Sequence, residues 1–258
     1  MITKITEIVR DASQLMYSKQ VNVEQKGNAS NYVTSADLNV QNFLIEHLQA
    51  LLPGSAVIGE EDADIAGSEY TWVIDPIDGT SNFIRGLDLS VISVALLKDS
   101  KPYIGVIYFP YRDQMFWAKE GEGAFLNGNP IHVSDRDFAH SHLCSAMSLY
   151  DKSLAKPCFN IIERVYSQAD DLRRLGSAAL ELAHLAAGRV ELYFEIRVFP
   201  WDAAAAATIV REAGGFVEFL FHDSLPLKEP FGIIAANSQE NFEKLRTIVY
   251  EEIPNKLY

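Results

Sequence analysis

The sequence predicts an α+β protein of mixed sheets with helices packed between them. Three observations lead there. The first is an N-terminal stretch whose apolar residues recur at helical spacing: Ile2, Ile5, Ile8, Val9, Ala12, Leu15 and Met16. The second is a run from Leu89 to Val133 that reads as a β meander, with turn residues between apolar segments. The third is a C-terminal half in which helical and strand patterns alternate.

Taken in order, the first helix is predicted from Ile2 to Ser18. A polar segment, Asn22 to Asn31, follows with Lys26-Gly27-Asn28 as its turn. Thr34 and Asp37 have capping-box spacing and start a second helix, which Pro53-Gly54 ends. Ala56 to Gly59 is a short strand with Glu60-Glu61-Asp62 at its end. Ala63 to Tyr70 is polar and expected to be mobile, and Thr71 to Ile74 is the next strand. The meander strands are Ser90–Leu97, Tyr103–Phe109, Met115–Ala118 and Ile131–Val133. Beyond them come a strand Leu143–Leu149, a helix Ala155–Tyr166 and a helix Leu175–Ala187 stopped by Gly188. Next are a strand Val190–Ile196 and an alanine-rich helix from Pro200 to Gly214-Gly215. Strands Phe216–Phe221 and Phe231–Ala236 and a helix Ser238–Tyr250 close the chain. The 258 residues are expected to form a single catalytic unit of two lobes, about 1–140 and about 141–258.

Composition excludes several classes. Hydrophobic residues make up 48% and charged residues 22%, ordinary for a globular chain with a sizeable core. The net charge of −13, from 35 acids against 22 bases, disfavours nucleic acid or an anionic membrane as main partner. No apolar run reaches membrane-spanning length, and the N-terminus lacks a leader pattern, so a soluble cytoplasmic protein is expected. Two cysteines, Cys144 and Cys158, are too few for a disulfide framework or a zinc site. The six histidines are dispersed and show no ligand spacing.

Chemistry concentrates in Trp72-Val-Ile-Asp75-Pro-Ile-Asp78-Gly-Thr80-Ser-Asn-Phe83. An apolar strand runs into two aspartates spaced i and i+3. Pro76 favours an extended Asp75, Gly79 permits a tight turn, and Thr80 and Ser81 can cap a helix. Free amide N–H groups at a helix start favour phosphate. Two carboxylates beside such a nest suggest a divalent cation with phosphate. Glu60, Asp37 and Asp202 also sit at strand ends or helix starts, where a fold could converge them. Hard cations such as Mg²⁺ take oxygen ligands and share their shell with substrate phosphate. Each acid has a plainer reading. Asp37 could be only a capping acid, Glu60 part of a solvated acidic loop, and Asp202 a first-turn acid favoured by the helix dipole. Asp75 and Asp78 fit a plain reading least, since paired acids repel without a cation. Arg173-Arg174 could recognise substrate phosphate or face solvent.

These blocks resemble the inositol monophosphatase family, within the lithium-sensitive, magnesium-dependent phosphatases. Gly59-Glu60-Glu61, the stretch Trp72 to Phe83, and Trp201-Asp202 through Gly214-Gly215 carry the resemblance. Val33-Thr34 with Asp37, and Leu175-Gly176-Ser177-Ala178-Ala179, support it. It implies a layered αβαβα sandwich, usually assembled as a homodimer, and two or three Mg²⁺ per site. Glu60, Asp75, the Ile77 carbonyl, Asp78 and Asp202 are the implied metal ligands. Glu60, Asp37 and Thr80 are the implied catalytic residues, with Thr80 and Asp37 handling the attacking water. The Gly79 and Thr80 amides would hold phosphate beside Asp78. Gly176, Ala178, Glu195 and Asp202 would contact the polyol. Lys26 matches a family lysine, whereas Asn31 stands where the family commonly has an acid, which implies weaker binding of an outer cation. Gly86-Leu87-Asp88-Leu89 also departs from the family pattern. The implied reaction is hydrolysis of a polyol or sugar phosphate monoester, with myo-inositol monophosphate first. Fructose 1,6-bisphosphate, nucleotide 3′-phosphates and NADP are the alternative substrates. A regulatory binding role in transcription or ribosomal RNA maturation is the alternative class.

Overall fold

The computed structural model describes residues 1–17, 22–25, 32–61, 63–65, 69–146, 151–253 and 255. Lys26, the turn it belongs to, Asn31, Asp62 and the end of the predicted strand 143–149 lie outside them. In chain order the elements are α1 (Ile2–Ala12), β1 (Val23–Gln25), β2 (Tyr32–Thr34), α2 (Ser35–Leu51), β3 (Ala56–Gly59), β4 (Ala63–Ile65), β5 (Tyr70–Asp78) and α3 (Thr80–Ile84). The meander supplies β6 (Val91–Lys98), β7 (Lys101–Phe109), β8 (Gln114–Lys119), β9 (Ala124–Leu126) and β10 (Asn129–Ile131). The remainder is β11 (His142–Ala146), α4 (Ala155–Tyr166), β12 (Asp171–Arg173), α5 (Ala178–Ala186), β13 (Leu192–Val198), α6 (Pro200–Glu212), β14 (Phe216–Leu220), β15 (Phe231–Ala236) and α7 (Gln239–Glu252).

Strands up to Ile131 build an eight-stranded mixed sheet, β10-β9-β8-β7-β6-β5-β3-β4. Strands from His142 onward build a five-stranded sheet, β12-β11-β13-β15-β14. Strand alternation aims successive side chains at opposite faces, so three cores form. Trp72, Ile74, Ile92, Val94 and Leu96 pack under α1 and α2. Val73, Ala95, Leu97, Tyr193 and Ile233 pack against α5 and α6, between the sheets. Leu192, Phe194, Ile234 and Ala236 pack under α4 and α7. The result is the expected αβαβα layering. All of Ala203 to Ala207 on α6 is buried, which explains the run of small residues in the middle layer. There α6 lies so close to β7 that a Cβ on Gly105 would stand 2.2 Å from the Ala205 carbonyl oxygen.

Several boundaries differ from expectation. The first α-helix stops at Ala12 and tightens into a 3₁₀ turn over Ser13–Tyr17. The backbone of Ala63–Ile65, expected to be mobile, pairs antiparallel with β3, and Tyr70 already belongs to β5. Helix α5 starts at Ala178, because Ser177 caps it through the Leu180 N–H and Gly176 holds φ +78°. The expected strand Ile131–Val133 ends at Ile131, and the Val133 N–H turns to the Ala213 carbonyl instead. Strands β9 and β12 escape the sequence patterns because three residues carry too little periodicity. Both cysteines are free and buried, and burial pushes the Cys144 thiol up. No helix among the described residues is long and apolar enough to cross a membrane.

Candidate active site

Strand β5 does not stop at Ile74 as expected but continues to Asp78. Regular alternation would send Asp75 and Asp78 to opposite faces, because they are an odd number of residues apart. A register shift against β6 between these residues removes the conflict. Asp75 Oδ1 accepts the Ile77 N–H at 3.0 Å, folding the chain around Pro76, which has no N–H to pair. Ile77 then joins the core under α1 and α2, and both acids line one cleft. Gly79 follows at φ +91°, where a Cβ would crowd the Leu89 and Gly176 carbonyls and Ser177. Gly79 itself is the N-terminal cap of α3, with no side chain capping it, so Thr80 and Ser81 are helical residues rather than caps. The first amides of a helix have no partner within it, and those of Gly79 and Thr80 lie at the cleft.

Two more acids come from helix starts. Asp37 on α2 accepts both the Thr34 N–H (2.7 Å) and the Thr34 hydroxyl (2.5 Å) on Oδ2. Its Oδ1 lies 3.5 Å from Thr80 Oγ1, which also donates to the Ile77 carbonyl at 3.1 Å. Asp202 on α6 accepts the Phe199 N–H at 2.7 Å on Oδ2. In each case one oxygen closes the helix start; the other faces Thr80 in Asp37, while Asp202 itself lines the cleft. The capping reading and the site reading therefore hold together.

The five-stranded sheet and α5 form the opposite wall. Gly176, Ala178 and Glu195 line it, joined by Ser177, Arg174 and Ala146. Ser177 Oγ donates to Asp78 Oδ2 at 2.6 Å and the Ala179 N–H donates to the same oxygen at 2.7 Å. Asn82 Nδ2 bridges the Leu89 and Leu175 carbonyls at 2.8 and 2.7 Å, tying α3 to the Gly176 loop. Behind that loop the buried Glu181 accepts the Leu175 and Gly176 N–H groups at 2.5 and 3.1 Å. Glu195 accepts the Tyr193 hydroxyl at 2.9 Å.

Electrostatics mark the cleft as a place for cations. One carboxylate oxygen each from Asp75, Asp78 and Asp202 lie within 4.8 Å of one another. Burial, then the charges of Glu60, Asp78 and Asp202, holds Asp75 well above the usual carboxylate range. Asp78 is pushed up to about 6 by burial, against the pull of its Ser177 and amide hydrogen bonds. Asp202 is pushed up to about 8 by burial and by Asp78. Asp37 is raised to about 6 by burial. Glu195 is raised by burial and by Asp202. Buried acids facing one another in this way favour a cation among them over shared protons at neutral pH. An all-oxygen donor set with room for further oxygen ligands fits Mg²⁺.

The cleft thus brings together Glu60, Asp75, Ile77, Asp78, Gly79, Thr80, Gly176, Ala178, Glu195 and Asp202. Asp37 stands behind Thr80 rather than on the cleft wall. Sequence reasoning missed Ser177, Asn82, Glu181 and Tyr193 as supports. Ser177 carried one legible signal, a hydroxyl ahead of a helical run; Asn82 acts across the fold on Leu175, while Glu181 and Tyr193 act on nearby residues through side-chain contacts that no spacing pattern marks.

A sequence profile described as the inositol monophosphatase family matches residues 1–253. The chain is 38% identical over 200 residues to Nus factor SuhB of Escherichia coli K12, covering 76% of this chain and 74% of that relative. It is 37% identical over 222 residues to inositol monophosphatase 3 of Solanum lycopersicum, covering 83% and 81%. A solved IMPase structure from Thermotoga maritima matches with a TM-score of 0.86 at 30% identity, covering 98% of both chains.

Proposed function

The chain belongs to the inositol monophosphatase family, and from that premise we propose that it is a Mg²⁺-dependent phosphatase. Its substrate is a polyol or sugar phosphate monoester, with myo-inositol monophosphate first among candidates. The observation that carries this reading is the convergence of Asp75, Asp78 and Asp202 oxygens within 4.8 Å beside the Gly79 and Thr80 amides. Glu60, Asp75, the Ile77 carbonyl, Asp78 and Asp202 would hold two or three cations. Bound there, the cations supply charge neutralisation of the phosphoryl group, a more acidic water and stabilisation of the departing oxygen.

The chain's own residues supply position and proton handling. The Gly79 and Thr80 amides hold phosphoryl oxygens. Thr80 Oγ1 orients the attacking water and relays its proton to Asp37 Oδ1, 3.5 Å away. Asp37 suits that role, since a value of about 6 leaves it ionised but basic at neutral pH. Gly176, Ala178 and Glu195 line the wall where the polyol would lie. The attack is direct, with no covalent phosphoenzyme.

The test is phosphate release with Mg²⁺, with and without Li⁺, on inositol 1-phosphate, fructose 1,6-bisphosphate and adenosine 3′,5′-bisphosphate. We expect Asp75→Asn to abolish release on every substrate; activity surviving that change sinks the metal assignment. Li⁺ is expected to inhibit. A homodimer is the expected assembly, checked by sedimentation equilibrium. A second reading, a regulatory binding role, is favoured by the relatives named Nus factor SuhB. It predicts that Asp75→Asn leaves stoichiometric capture of transcription factors intact.

A further inference from the structure

A second cavity lies at the far end of α6 from the cleft. Asp202 sits in the first turn of that helix and Arg211 in its last, about 14 Å away at 1.5 Å per residue. The cavity has a volume of about 310 Å³ and shares no lining residue with the cleft. Its walls are the end of α6, the turn joining β6 to β7, the residue after β8, and β14 with the loop that follows. Pro102, Phe219 and Leu225 give it an apolar lining, and the last two are buried. That size falls at the lower end of the range for small-molecule sites.

Arg211 brings a charge to this lining. Its Cζ lies 5.2 Å from the centre of the Phe219 ring, and Nη2 donates to the Val217 carbonyl at 3.3 Å. A guanidinium has five N–H groups, and no carboxylate among the described residues forms an ion pair with this one. Arg211 is exposed as a residue, yet desolvation lowers its pKa and no acid raises it. The adjacent acid, Glu212, is engaged elsewhere. Its two oxygens accept the Gly121 and Gly123 N–H groups, each at 2.9 Å. Glu120 and Asp223 also line the cavity, but both are exposed, where solvent and salt screen them. Lys101, likewise exposed, adds a second cation.

A desolvated cation without a counter-ion is costly, and a carboxylate matches the guanidinium fork. We propose that this cavity is a binding site for a small organic carboxylate. Its charged end meets Arg211, and its apolar body lies against Phe219, Leu225 and Pro102. Such a site stands whether or not the cleft hydrolyses phosphate esters.

Isothermal titration calorimetry on the full chain with Mg²⁺ tests this, with benzoate as the carboxylate and benzamide as its uncharged counterpart. Benzoate is expected to bind with a Kd of about 1 mM or tighter, and benzamide about tenfold more weakly. Arg211→Gln should weaken benzoate by about tenfold or more, and Arg211→Lys by less. Asp75→Asn should leave benzoate binding unchanged, whereas a carboxylate held by cations in the cleft would be lost with them. Absence of binding, equal binding of benzamide, indifference to Arg211→Gln, or loss of binding in Asp75→Asn overturns the proposal. Should Arg211→Gln fail to fold, nuclear Overhauser contacts in the wild type decide. Contacts between benzoate ring protons and the Leu225 methyls support the site, and their absence overturns it.

Discussion

Glu181 and His184 lie one helical turn apart on α5 and respond to pH in opposite directions. Burial raises Glu181 to about 7, although two backbone N–H groups pull it down. Burial lowers His184 to about 4. An acid raised in the folded state ionises first in the unfolded chain, so its stability contribution is lost as pH climbs from about 4.5 through about 7. A histidine depressed in the folded state is protonated first in the unfolded chain. Its contribution is lost as pH falls from about 6.5 through about 4. Glu181→Gln should flatten the alkaline loss of Tm, and His184→Gln should flatten the acid loss. Identical pH profiles for wild type and both variants would refute these assignments. Both residues were invisible as features in the sequence, because burial created their shifts. Asp75 and Asp78 were legible at this scale, since two acids against an apolar strand have few plain explanations.

At the scale of elements, the start of α6 lines the cleft through Asp202 and the start of α2 backs it through Asp37 and Thr80. Thr34 caps α2 and also grips Asp37 Oδ2, leaving Oδ1 toward Thr80. Thr34→Ala should cost about 1 kcal/mol of stability and also lower phosphate release, because Asp37 loses its anchor. A stability loss with unchanged kcat would show that the Thr34 hydroxyl caps the helix without positioning Asp37 for catalysis. In the middle layer, Gly105→Ala should destabilise by about 3 kcal/mol or more, since the Ala205 carbonyl is helix backbone and cannot step aside. Urea unfolding measures it, and a change below about 1 kcal/mol would mean the layer yields more easily than its packing suggests. The capping box of α2, the span Ala155–Tyr166 and the alanine helix were readable from spacing. The start of α5 was placed too early, because the apolar Leu175 belongs to a loop that Asn82 on α3 and Glu181 on α5 hold outside the helix.

Across the whole molecule, the cleft is assembled where both sheets and the starts of α3, α5 and α6 meet. Crowding five acids there costs stability in the absence of a cation. Mg²⁺ should therefore raise Tm, by an amount growing with the logarithm of its concentration above Kd. The rise should be larger at pH 8 than at pH 5.5, where the shared protons of Asp78 and Asp202 already relieve the repulsion. Differential scanning calorimetry against EDTA checks this; a Mg²⁺ effect equal at both pH values, or one retained by Asp75→Asn, would contradict it.

By itself the sequence determined the kinds of element, the order of the layers' components and the acids placed where strands end and helices begin. Those follow from local causes: apolar period, capping chemistry, and the limits that proline and glycine put on the backbone. Only the tertiary structure decided that Asp75 and Asp78 share a face, since strand alternation argues against it and a register shift against β6 overrules it. It likewise separated Arg174 from Arg173, because Arg173 is paired with Asp171 two residues earlier on the same strand. Residues far apart in the chain meet through packing, and no local pattern records which of them will.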